Sequence, residues 1–216
     1  FYTNLVLLGD DILYRGYEHG QRVQYRDRSS PVLFFVPKAQ SKPTKFKTLD
    51  GRRAYKKQFS GAREAREVLK QYESTDGLEV HGYERFVYQH INQKFPSDID
   101  YDMSMMKIYT IDIEVACENG FPDVQASAEE MLCLTIKDFN TKKIITWGTR
   151  EFTPPEGVEY RVFWTEQEML QDFHKWWSDN TPDIITGWNN NLYDIPYICR
   201  RMERVLGEKW KKSLSP

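Results

Sequence analysis

Asp112 and Glu114 stand two residues apart in the segment Met106-Lys107-Ile108-Tyr109-Thr110-Ile111-Asp112-Ile113-Glu114-Val115. At a strand's period of two, Tyr109, Ile111, Ile113 and Val115 share one face, and Ile108, Thr110, Asp112 and Glu114 share the other. Side-by-side carboxylates repel, which raises the cost of ionising both unless a cation lies between them. A hard divalent ion such as Mg²⁺ or Mn²⁺ is such a cation. Two readings stand: a metal site, or the solvated end of a half-wet strand. The surrounding Ile108, Ile111, Ile113 and Val115 argue for a buried strand and so for the metal. The four histidines (His19, His81, His90, His174) have no ligand spacing, and the three cysteines (Cys117, Cys133, Cys199) contain no C-x-x-C, so any metal is held by oxygen.

The elements around this strand have to bring further chemistry to it. After a loop over Cys117–Ser127, Met131–Phe139 and Lys143–Thr149 predict two strands of an antiparallel meander, joined at Asn140-Thr141. Tyr160–Trp164 predicts a further short strand. Thr165 is the expected N-cap of a helix, with Glu168 completing a capping box. That helix carries an apolar stripe of Met169, Leu170, Phe173, Trp176 and Trp177 and stops before Thr181-Pro182, so the tryptophans are read as core. Ile184–Trp188 predicts a short buried strand, and Ile195–Leu206 a last helix ended by Gly207. A strand with acids, two antiparallel strands, a helix, a strand and a helix is the order of a ribonuclease-H-like α/β core. In that order a third acid belongs at the start of the last helix, where Asp194 stands.

The first hundred residues read differently. Tyr2–Leu8, Asp11–Tyr17, Gln21–Tyr25 and Val32–Val36 predict strands, with turns at Gly9-Asp10 and His19-Gly20. Ser60 is placed as the cap of a helix carrying Ala62, Ala65, Val68, Leu69 and Tyr72, and a second helix is expected from about Tyr83 to Gln93. The acidic, proline-bearing stretch from Phe95 to Asp102 puts a domain boundary near 103, with an α+β domain over 1–103 and a mixed-sheet domain over 104–216. Between Lys38 and Arg66, ten basic residues face two acids, a local net of +8 against −2 for the whole chain. Interleaved with Phe46, Tyr55 and Phe59, this basic loop suits phosphates and stacked bases, or else it is a solvated loop. Arg52, Arg53, Lys56 and Lys57 are its candidate contacts.

At 40% hydrophobic and 14% aromatic residues the chain can build a core and is not a disordered sequence. No run approaches the roughly 18 apolar residues of a membrane span, and no signal-peptide pattern opens the chain, so an intracellular protein with free thiols and no membrane partner is expected.

Tyr109-Thr110-Ile111-Asp112-Ile113-Glu114 resembles the first exonuclease motif of family B DNA polymerases. Thr186-Gly187-Trp188-Asn189-Asn190-Asn191-Leu192-Tyr193-Asp194-Ile195-Pro196-Tyr197 resembles the second, 82 residues further on between the two aspartates. The N-terminal part and the Gly120-Phe121-Pro122 loop are similar to the replicative polymerases of T-even-like bacteriophages. The resemblance covers the whole chain and implies a 3′→5′ proofreading exonuclease in the cytoplasm of an infected bacterial host. It implies that Asp112 bridges two Mg²⁺ or Mn²⁺ ions, that Glu114 binds one of them and positions the attacking water, and that Asp194 holds the second. Asn189 and Tyr193 are implied near the scissile nucleotide, and Phe121 as a wedge against frayed 3′ bases, with plain packing the alternative for Tyr193 and Phe121.

One departure is that Asn190-Asn191-Leu192 does not follow the phage enzymes closely. Another is that the family's third motif, Tyr-x-x-x-Asp, is missing: after Asp194 the acids are Glu203 and Glu208. The expectation is an N-terminal piece of a polymerase, a fragment or one half of a split enzyme, with little nuclease activity on its own. Its expected partners are the single-stranded 3′ end of DNA and the remaining polymerase domains or a C-terminal partner chain. The alternatives are a nucleic-acid-binding module that represses translation by binding RNA, and a different ribonuclease-H-like nuclease such as an integrase, against which the Gly-Trp-Asn-x-x-x-Tyr-Asp context argues.

Overall fold

Alternating apolar residues build the first sheet in this computed structural model, which describes residues 1–39, 42–82, 85–118 and 120–215. β1 (Tyr2–Leu8), β2 (Asp11–Glu18) and β3 (Gln21–Arg28) form an antiparallel meander. Ile12 and Tyr14 point inward from β2, and the Tyr14 ring stacks on Tyr25 of β3 at 4.7 Å. Gly9 turns the first hairpin at a φ of +67°, where a side chain would be strained. A second sheet has the order β5-β6-β4-β7, from β4 (Val32–Pro37), β5 (Phe46–Lys47), β6 (Arg53–Gln58) and β7 (Leu78–His81). Against it pack α1 (Ala62–Tyr72) and α2 (Phe86–Lys94), around Leu33, Phe59, Ala62, Ala65 and Phe86.

Two expectations are corrected here. The stretch read as a basic loop contains β5 and β6, and β7 is also an added strand. In Arg53-Ala54-Tyr55-Lys56-Lys57-Gln58 only Ala54 turns fully inward, so charge hides the strand period, and pairing with β4 supplies the order (Phe35 opposite Tyr55, Val32 opposite Gln58). The cap of α1 is not Ser60. Gly61 holds the cap position, and the Asp10 carboxylate from the β1–β2 turn accepts the Arg63 N–H at 2.8 Å, while the Ser60 hydroxyl donates to Glu64. The expected start of the second helix at Tyr83 lies outside the described residues, as does Asn119 of the loop after the acidic strand.

The chain divides into compact units at Tyr101 and Asp102. The second unit opens with a 3-10 turn (Met103–Met105) and continues through β8 (Ile108–Val115), β9 (Met131–Asp138), β10 (Ile144–Gly148) and β11 (Val158–Val162). Then follow α3 (Glu166–Asp179), β12 (Ile184–Thr186), α4 (Asp194–Leu206) and α5 (Glu208–Lys212). The sheet order is β11-β10-β9-β8-β12. β8, β9 and β10 run antiparallel, while β11 joins β10 and β12 joins β8 in parallel. This is a mixed, ribonuclease-H-like α+β arrangement.

The apolar face of β8 (Tyr109, Ile111, Ile113) meets Met169, Leu170, Phe173 and Trp177 of α3 and Tyr197, Ile198 and Met202 of α4 in one core. Both tryptophans of α3 belong there: Trp176 lies 5.3 Å from Trp147, and Trp177 donates to the Leu214 carbonyl. Thr165 caps α3 by accepting the Glu168 N–H at 3.2 Å. β11 begins at Val158, two residues before the expected Tyr160, because Val158 pairs with Ile144 of β10. β12 is not the buried strand expected over 184–188. It ends at Thr186, lies at the sheet edge, and leaves Ile184, Ile185 and Trp188 exposed, the last at 101%. No described helix is long and apolar enough to cross a membrane.

Removing the Phe173 ring from this core by Phe173→Ala is expected to cost about 3–5 kcal/mol. Thr165→Ala, which removes one cap bond, is expected to cost about 1 kcal/mol. Urea unfolding followed by tryptophan fluorescence measures both, and equal effects would contradict this account of the core.

Candidate active site

β12 pairs with β8 only as far as Thr186 opposite Thr110. Beyond that point the edge of β8 is open, and the Ile113 N–H there is met by the Asp194 carboxylate from the start of α4. Asp194 is only 4% exposed. Burial, then repulsion from Asp112, raises its pKa from the usual carboxylate value, against the lowering effect of hydrogen bonds from its own N–H and from Ile113. Asp112 and Glu114 occupy the opposite face of β8 from the core and are exposed, so that face is not the buried one expected. The structure therefore brings Asp112 and Asp194 into mutual repulsion at one open strand edge. Among the described residues, no three carboxylate, histidine or thiol groups stand together as a metal-binding cluster.

Glu114 lies opposite Cys133 of β9, and its charge adds to the burial that pushes the Cys133 thiol up. Tyr193, just before α4, stands among Asp194, Cys117 and Glu114. Burial first and these charges second raise its pKa, so its hydroxyl stays protonated. Its ring lies 5.1 Å from Phe121 and 5.6 Å from Tyr197. Phe121 remains 80% exposed despite that contact.

The turn between β12 and α4 is built by backbone. The Asn189 carbonyl accepts the N–H groups of Leu192 and Tyr193, while the Asn189 residue is exposed. The neighbouring Asn190 is the one the sequence reading passed over. It is buried, neither polar atom of its amide has a partner among the described residues, and it lies over Gly187. A Cβ at Gly187 would come 2.0 Å from the Asn190 Oδ1 and 2.7 Å from the Ile111 carbonyl. The signal available in the sequence was that glycine, three residues before a second asparagine.

The loop from β8 to β9 is held onto α4 by a row of donors. Arg200 Nη1 reaches the Gln125 carbonyl at 3.3 Å and Arg204 Nη1 the Ala126 carbonyl at 3.2 Å. Arg201 Nη1 takes the carbonyls of Ser127 and Ala128 at 3.0 and 2.8 Å, and the Tyr197 hydroxyl takes that of Glu129 at 2.7 Å. Arg201 also forks onto the buried Glu166 of α3 at 2.7 and 2.6 Å, and Glu166 accepts the Met131 N–H of β9. Five consecutive loop carbonyls are thus fastened to the helix that begins with Asp194.

Residues 83–214 match the family described as DNA polymerase family B, exonuclease domain. The chain belongs to this family. Over its whole length the chain is 26% identical to the DNA-directed DNA polymerase of Escherichia phage RB69 and 27% identical to that of Enterobacteria phage T4. It spans 27% and 26% of the lengths of those two proteins. Over 44% of the chain it is 33% identical to the DNA polymerase catalytic subunit of human herpesvirus 7, covering 10% of that protein. The matched residues include Tyr109–Glu114, Thr186–Tyr197 and α4.

The basic candidates of the first unit are less uniform than their charge suggests. Arg52 is spent on acids: it bonds Asp50 at 2.6 Å and forks onto Glu79 at 2.5 and 2.9 Å. Arg53, Lys56 and Lys57 are exposed on β6, and the Lys57 ammonium lies 4.9 Å from the Phe59 ring centre.

Arg201→Met leaves the Glu166 carboxylate and two carbonyls buried without their donor, and the exonuclease domain is expected to lose about 3–5 kcal/mol. Adding Glu166→Leu is expected to recover part of that loss in chemical denaturation. The raised pKa of Asp194 carries a sign. The folded chain holds this proton at pH values where the unfolded carboxyl, with its ordinary 3.8, has lost it, so stability falls as pH rises through the window above 3.8. In chelator, Asp194→Asn is therefore expected to raise Tm at neutral pH, with the gain vanishing as pH falls towards 3.8. A constant difference across that range would contradict it.

Proposed function

We propose that the second unit is a 3′→5′ exonuclease domain that takes the single-stranded 3′ end of DNA. The observation that carries this reading is the pairing of Asp112 with the buried Asp194 at the open edge of β8, where the charge of Asp112 disfavours ionisation of Asp194. Two such carboxylates, with no histidine or thiol between them, fit a hard divalent cation, Mg²⁺ or Mn²⁺. Asp112 and Asp194 would hold it, and Glu114 would complete the set from two residues along the strand. Bound ions would supply water activation and stabilisation of the leaving 3′ oxygen.

The remaining roles belong to the chain itself. The Ile113 N–H fixes one side of the Asp194 carboxylate. The protonated Tyr193 hydroxyl, between Asp194 and Glu114, is a donor for the attacking water. Phe121, exposed and backed by Tyr193, offers an aromatic face against the terminal bases. Asn189 stands exposed at the entrance of the turn, open to the nucleotide.

The two phage relatives, both DNA-directed DNA polymerases, extend the proposal to a polymerase acting in an infected bacterial cell, in which this chain works with the remaining polymerase domains. A second reading is favoured by the exposed Lys56 and Lys57 on β6, one of them over an aromatic ring: the first unit binds nucleic acid, RNA included, without metal.

Within this chain the acids after Asp194 are engaged elsewhere, Glu203 with Lys211 and Glu208 with Lys212. Slow trimming at most is therefore expected of these 216 residues with a 5′-labelled single-stranded oligonucleotide and Mn²⁺. Mn²⁺ binding itself, followed by electron paramagnetic resonance, is expected to fall sharply in Asp112→Ala and in Asp194→Ala. Unaltered Mn²⁺ binding in both variants would overturn the assignment, and brisk digestion abolished by Asp112→Ala would overturn the expected weakness alone.

A further inference from the structure

On the outward side of α4, Pro196, Cys199, Arg200 and Glu203 follow one another at the i, i+3, i+4, i+7 spacing of a helix face. With the turn at Gln125-Ala126 and with Arg204 and Lys211, they enclose a concavity of about 600 Å³. Its charge is not balanced. Lys211 and Glu203 pair at 2.5 Å and cancel, which leaves the guanidinium groups of Arg200 and Arg204 one helical turn apart. Among the described residues, the recorded partners of these two are carbonyl oxygens of the β8–β9 loop, which hold the heads in place without neutralising them.

Two arginines with acidic partners show the contrast. Arg201, next in the helix, is matched by Glu166, and Arg52 by Asp50 and Glu79. Like charges four residues apart on a helix repel, and an anion lying between them would offset that repulsion.

We propose that this hollow is a phosphate-binding subsite for a nucleic-acid strand, with Arg200 and Arg204 as its anion contacts. Each guanidinium has five N–H donors and spends one on a carbonyl, so a fork remains for phosphate oxygens. Burial pushes the Cys199 thiol up, so the floor of the hollow adds no negative charge. The heads belong to residues ~6 Å apart along the helix axis, at ~9 and ~15 Å from Asp194, which suits a ligand with anions in series better than a lone one. The subsite rests on the exonuclease reading: it gives the strand whose 3′ end reaches Asp194 a second hold on the same helix.

The test measures binding of an oligothymidylate by fluorescence anisotropy over a range of KCl, in wild type, Arg200→Gln/Arg204→Gln and Arg200→Lys/Arg204→Lys. Loss of both contacts is expected to weaken binding at least tenfold at low salt and to reduce the slope of log affinity against log salt by about 1.4, near 0.7 per lost phosphate contact. The lysine pair, which keeps the charge, is expected to retain the slope. Circular dichroism confirms that each variant is folded, and thermal melting separates any loosening of the 125–126 turn from loss of charge.

Unchanged affinity and slope in the glutamine pair overturn the proposal, as does an equal loss in the lysine pair. Inorganic phosphate in the same assay separates the sources: weak competition, well below that of the oligonucleotide, supports a strand, and competition as strong as the oligonucleotide's overturns it in favour of a free anion. Failure of the exonuclease reading is read separately, as Mn²⁺ binding indifferent to Asp112→Ala.

Discussion

The buried fork between Arg201 and Glu166 is the constraint on which the second unit turns. Two charges taken out of water are stabilising only when their remaining hydrogen-bonding capacity is filled. Here it is filled by the chain that matters most: Arg201 spends its third nitrogen on the carbonyls of Ser127 and Ala128, and Glu166 accepts the Met131 N–H. One ion pair therefore ties α3, α4, β9 and the loop after Glu114 to a common point. Arg200, Arg204 and Tyr197 continue the row on either side, so the loop that carries Phe121 is referenced to the helix that carries Asp194.

The second condition is the early end of β12. A strand that continued past Thr186 would take the backbone positions of β8 that face Asp194. Stopping there leaves the Ile113 N–H for the carboxylate, and Gly187, having no side chain, can lie close to both the Ile111 carbonyl and the Asn190 amide at the stop. The acids then meet across an edge and not across a filled ladder. Repulsion between Asp112 and Asp194 is what the fold accepts at that place, in keeping with functional groups held in positions that stability alone would not select.

Much of the second unit was legible because its signals are local. The period of two in β8, the Thr165 cap and the apolar stripe of α3 depend on residues within a few positions of one another, and the order of elements carried the ribonuclease-H-like arrangement and the place of Asp194. What was not legible depends on distant partners. Nothing near Arg63 says that Asp10 will cap its helix, and nothing in Arg53–Gln58 reveals a strand until β4 lies beside it. The burial expected of Ile184 and Ile185 failed for the same reason: their composition is that of a central strand, and only the sheet order places them at an edge. Arg52 looked like a phosphate contact by charge and is consumed by Asp50 and Glu79, the second of which is 27 residues away. The row of arginines on α4 was invisible because its acceptors are main-chain oxygens, which carry no mark in a sequence.

The exposed rim of β12 has a further consequence for how this domain behaves in a crowded solution. Ile184 and Ile185 are exposed on an edge strand and Trp188 follows them, with no lysine or proline from 184 to 188 to turn away a stranger's strand. Only the brevity of the segment, three residues, limits how many rungs such an intruder gains. The rim beside the opening that admits Asp194 to β8 is thus also a place where a second strand could add, and any covering of it has to spare the last turn before α4.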